Sequence, residues 1–120
     1  MKRIAFVLAA IFVITVPTFA SAEFTSRQLA SLVAGAKTAA EHQRIANYYR
    51  AQADKQLAES NDHARMAAAF RANPATNNDK RVQSTVNHCE YLAKTLRAKS
   101  DTARALADDH ERMARVAGLR

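Results

Sequence analysis

The side chains with the widest chemical repertoire are four histidines, His42, His63, His88 and His110. One cysteine, Cys89, and two methionines, Met66 and Met113, stand close to them in the chain. Neutral imidazole is the commonest transition-metal ligand, and thiolate or thioether sulfur adds a preference for soft ions such as Cu(I). The spacing is regular. His63-Ala-Arg-Met66-Ala67 returns as His110-Glu-Arg-Met113-Ala114, 47 residues later, and Arg50-Ala51 returns as Arg97-Ala98 at the same offset. His42 and His88 match at 46, so the pattern predicts an old helical duplication with one residue gained or lost between the copies.

Other motif-borne chemistries are missing from the sequence. It holds no phosphate-cradling glycine loop, no dinucleotide fingerprint, no H-E-x-x-H and no C-x-x-C. No carboxylate pair or nucleophile–base set stands out, so a non-enzymatic binding or interaction protein is expected. Haem held by two histidines would rest on spacing alone, because C-x-x-C-H is absent. A single cysteine excludes an internal disulfide framework and leaves an intermolecular disulfide, a metal ligand or a buried inert thiol.

The elements that position these residues are helices. Thr25-x-x-Gln28 reads as a capping box ahead of Leu29, Leu32 and Val33. Gly35 weakens that first segment, and from Lys37 to Ala72 nothing stops a helix. Asn73-Pro74-Ala75-Thr76-Asn77-Asn78 is the strong breaker, with Asn77 or Asn78 able to cap a helix that starts near Asp79. Helices are therefore expected at about 26–36, 37–72 and 79–117 with a loop at 73–78. The fold class is all-α: a long antiparallel helical hairpin with a short N-terminal helical segment, which could dock as a third helix.

On an ideal helix, 21 residues return to within about 60° of the start. His42 and His63 then share a face with Ile45, Ala46, Tyr49, Ala53, Leu57, Ala64 and Ala67. His88 and His110 share one with Tyr91, Leu92, Leu96, Ala103, Leu106 and Met113. The midpoints of His42–His110 and of His63–His88 both fall in the 73–78 loop. An antiparallel hairpin thus sets the histidines in two facing pairs, roughly 30 Å apart at about 1.5 Å per residue. Cys89, Asp62 and Met66 lie near the inner pair; Met113 and Glu41 lie near the outer one. Zinc or copper is the expected cofactor class, although each level supplies only two firm ligands and a closed zinc site needs four. Cys89, about 100° around from His88, is expected at the edge of the contact.

Lys2 and Arg3, the apolar run Ile4 to Val16, Pro17 and Ala20-Ser21-Ala22 form a Sec-type signal peptide over residues 1–22, cleaved before Glu23. The net charge of +7 over 120 residues falls to +5 once Lys2 and Arg3 are gone. The remaining 98 residues are expected in the periplasm or outside the cell, a setting that speaks against nucleic acid as the partner. Two helices joined by an alanine-rich contact bury little apolar area, so a homodimer forming a four-helix bundle, or a protein partner on the helical face, is expected. Phe24-Thr25-Ser26-Arg27-Gln28 resembles one copy of the L-T-x-x-Q motif of Spy/CpxP-type periplasmic chaperones, with Phe in place of Leu. That resemblance implies a cradle-like helical dimer that binds unfolded envelope proteins, with histidines that only pack or respond to pH.

Overall fold

A computed structural model describes residues 24–73, 75 and 78–119. The leader read at 1–22 lies outside them. Three helices follow in order, α1 (Ser26–Gly35), α2 (Ala39–Ala72) and α3 (Lys80–Gly118), and α2 packs against α3 along its length as a hairpin. Among the described residues, no helix is long and apolar enough to cross a membrane.

Each helix starts at a side-chain cap. Thr25 and Gln28 make the reciprocal box of α1. A second box, Thr38 with Glu41, starts α2 just beyond Gly35. The helix α3 is capped by Asp79, whose carboxylate accepts from the Arg81 N–H at 2.8 Å. The expectation of Asn77 or Asn78 is corrected: the cap is Asp79, the residue after Asn78. Asp caps as well as Asn does, and its charge also suits a helix N-terminus.

The α1 segment ends at Gly35 and folds back along the first turns of α2, where Phe24 meets Tyr48 edge-on at 5.7 Å and Arg44 lies over the Phe24 ring. None of its residues is fully buried, so it is an extension lying on α2 rather than a third bundle helix.

Where α2 meets α3, the enclosed positions recur at alternating steps of three and four. On α2 they run Ala39, His42, Ala46, Tyr49, Ala53, Gln56, Ser60, His63 and Ala67. On α3 they run Val82, Val86, Cys89, Ala93, Leu96, Ser100, Ala103, Ala107, His110, Ala114 and Ala117. This is a 3.5-residue repeat, in which residues seven apart stay on one line. Small side chains dominate it, and they let the backbones approach closely. Ser60 Oγ donates to the Ala93 carbonyl and Ser100 Oγ to the Ala53 carbonyl, each at 2.7 Å across the contact. Hydroxyls this short reach the opposite backbone only when the axes lie near the close end of the usual 8–10 Å range. Alanine, the best helix former, thereby contributes to helix propensity and to dispersion contacts at once.

Of the large apolar residues expected in the seam, Ile45 is fully buried and Tyr49 and Leu96 are enclosed, whereas Tyr91, Leu106 and Met113 stand beside it. Tyr91 is 64% exposed, Met113 47% and Leu106 37%. Ala64 is exposed as well. The two edges of the hairpin differ. Arginines reach across on one side: Arg50, Arg97 and Arg104, which directly follow seam residues, to Asp108 and Glu111, to Asn61 and to Asp54, and Arg71, beyond the last seam residue of α2, to Glu90. Apolar residues directly precede five of the seam alanines: Ile45, which is fully buried, and Met66, Leu92, Leu106 and Met113 on the other side.

The offset of 47 holds along the whole seam. It carries Ala46 onto Ala93, Ala53 onto Ser100, His63 onto His110 and Ala67 onto Ala114. It also carries the Arg50–Asp108 contact onto Arg97–Asn61. The hairpin therefore has an approximate two-fold axis through the Ala53–Ser100 level. At this constant offset the counterpart of His42 is Cys89 rather than His88.

Candidate functional site

At the open end of the hairpin, His42 near the start of α2 meets His110 near the end of α3. Their Nδ1 atoms are 3.1 Å apart and the ring centroids 5.3 Å apart. In the neutral pair one Nδ1–H donates to the other Nδ1, so the two imidazoles are opposite tautomers. Tyr49, one heptad on from His42, stacks against the His110 ring at 6.3 Å and 26°. His110 is only 8% exposed. Burial, and then the neighbouring His42, push its pKa below the ordinary 6.5, against an opposing pull from Asp109. The ring is thereby kept neutral, the form that binds metals.

The separation of the two nitrogens is close to a chelate bite. Two nitrogens bound to one ion at about 2.0–2.1 Å in tetrahedral geometry lie roughly 3.3 Å apart. His42 also lines an open depression with Lys37, Asp109, Arg112 and Met113. Met113 is 47% exposed, so its thioether is free to swing toward an ion there. Glu41, expected near this pair, is engaged elsewhere. Its Oε2 accepts from the backbone N–H groups of Lys37 and Thr38 and from the Thr38 hydroxyl, which lowers the carboxyl to about 2.

The inner pair does not form as expected. His88 is exposed on the outer side of α3, and its neighbour Cys89 occupies the seam at 6% exposure. The expected edge position of Cys89 is corrected for the same reason. An intermolecular disulfide through Cys89 would require the seam to open. Stepping by heptads from the His42–His110 contact gives Tyr49–Ala103, Gln56–Leu96 and then His63–Cys89 as facing residues. Cys89 packs with Ala67 and Val86, while His63 is half-buried with its Nδ1 enclosed and without a hydrogen-bond partner. Such an unpaired buried atom costs about 1–3 kcal/mol. Met66 is 42% exposed beside this level, and Asp62 pairs with Arg65. Among the described residues, no three His, Cys, Asp or Glu side chains converge on one point.

These features define a class: an all-α hairpin with a narrow small-residue seam and an imidazole pair at its open end. No protein-family model matches the chain, and neither a curated protein nor a solved structure does.

Proposed function

We propose that this chain is an exported, non-enzymatic helical-hairpin protein that binds a zinc or copper ion through His42 and His110. The observation that carries the reading is the 3.1 Å approach of two imidazole nitrogens from opposite helices. Three facts support it. The neutral state of His110 is favoured by its burial. The Tyr49 ring holds that imidazole in place. The depression beside the pair leaves coordination positions for Met113, water or a partner's side chain. Export is supported by the basic, apolar and small-residue segments of residues 1–22.

The test is a titration of the purified protein with Zn²⁺, Cu²⁺ and Cu⁺ beside H42A, H110A and H88A. Loss of one saturable equivalent in H42A and in H110A, with the parent's stoichiometry kept in H88A, is the expected result. Binding indifferent to both of the first two substitutions overturns the site.

A second reading rests on the same contact. Two imidazoles that satisfy each other by a hydrogen bond need no ion, and the pair then packs the seam and responds to pH. The chaperone-like alternative rests on the resemblance of the segment from Phe24 to Gln28. Thr25 and Gln28 are engaged with each other's backbone as a helix cap, which accounts for that spacing without a client.

A further inference from the structure

The approximate two-fold of the hairpin relates the His42–His110 contact to a second one, in which Cys89 takes the place of His42 and His63 that of His110. The same backbone geometry that brings two imidazoles together at the open end therefore sets a thiol opposite an imidazole near the loop end. His63 Nδ1 is buried there with no hydrogen-bond partner, whereas its counterpart, His110 Nδ1, is paired with His42. A buried polar atom without a protein partner needs an explanation, and a bound ion is one that also accounts for the thiol facing it. The other such atom, Gln56 Oε1, faces Leu96 and has no ligand opposite it.

We propose that His63 and Cys89 form a second metal site, specific for a soft monovalent ion of the Cu(I) kind. Thiolate sulfur selects Cu(I), and a cation that accepts two or three ligands suits a level that offers one sulfur and one nitrogen. A closed zinc site would need four. Binding forms one Cu–S and one Cu–N bond. The thiol proton passes to solvent, and no electron is transferred. The contact is one side chain thick, so the ion enters from the hairpin's edge, where Met66 offers a thioether.

This site goes beyond the His42–His110 reading, and the two can fail separately. Cu⁺ is titrated anaerobically into the purified protein against a chromophoric Cu(I) chelator, beside H42A, C89S and H63A. Two equivalents are expected for the parent and one for each variant. Helical content by circular dichroism is measured on every protein. H42A retaining the second equivalent, with C89S losing it, separates the sites. A second measurement needs no change at Cys89: H42A loaded with one equivalent should show copper–sulfur scattering in X-ray absorption, at an intensity that survives M66L. Nitrogen and oxygen scattering alone, or a C89S protein that binds copper with the parent's stoichiometry and affinity, overturns the proposal.

Discussion

The hydroxyl of Ser100 donates to the carbonyl of Ala53 at 2.7 Å, at the level where the two halves of the hairpin exchange. The Ala53 carbonyl already belongs to the α2 backbone ladder, so the serine adds a second bond to a satisfied acceptor. Replacing Ser100 by Ala should cost about 1 kcal/mol, the net worth of one buried hydrogen bond. Replacing it by Leu should cost more, about 1–3 kcal/mol, because a larger side chain forces the backbones apart. Urea unfolding of both variants ranks them. A leucine variant as stable as the parent would show that the contact is not closely packed.

The pH dependence follows from His110. Its folded-state pKa is held below 6.5 by burial and by His42. The unfolded chain takes up this proton first as pH falls. The stability that goes with the neutral ring is therefore present in full above about 6.5 and is lost as pH drops through the folded value. Thermal unfolding between pH 7.5 and 5 should show a falling midpoint, with a flatter profile in H110Q. Equal slopes in both proteins would remove His110 as the cause.

His88 supplies the control. It is exposed and outside the seam, so H88A should change stability by no more than about 0.5 kcal/mol. Metal stoichiometry should also stay at the parent's value. A large loss of either would mean that α3 is turned by one residue from the register described.

The start of α2 depends on Thr38, whose hydroxyl accepts from the Glu41 N–H at 3.2 Å. T38A should cost about 1 kcal/mol, as removal of an N-cap usually does. Hydrogen exchange should rise first in the turn that carries His42, the ligand nearest this cap. Uniform exchange along α2 would argue that the cap does not hold that end.

The helical hairpin was legible because Asn73 to Asn78 gathers the strongest breakers and long Ala, Gln, Glu, Arg and Lys stretches flank it. The outer histidine pair was legible because matched distances from the loop place His42 against His110 under almost any register. The inner level was not, and the reason is the period. At 3.6 residues per turn, His42 and His63 drift about 60° apart and His88 remains a plausible partner. At 3.5, three heptads back from His110 is Cys89. The second error was one of size. Tyr91, Leu106 and Met113 carry more apolar area than Ala107 or Ser100 and so looked like the core. A seam built for close backbone approach favours small residues along most of its length, and Tyr91, Leu106 and Met113 are left on its flank. The two serines betray this arrangement only after their partners across the hairpin are known.

The unlike edges of the hairpin make it mechanically lopsided. Arg50, Arg71, Arg97 and Arg104 tie one margin by charge and hydrogen bonding, while Met66, Leu106 and Met113 border the other with apolar surface. Dissolved salt screens the first margin and leaves the second untouched. Concentrated electrolyte should therefore not part the helices evenly. It should loosen the arginine side and let each helix roll slightly about the line of small residues, as a book opens on its spine.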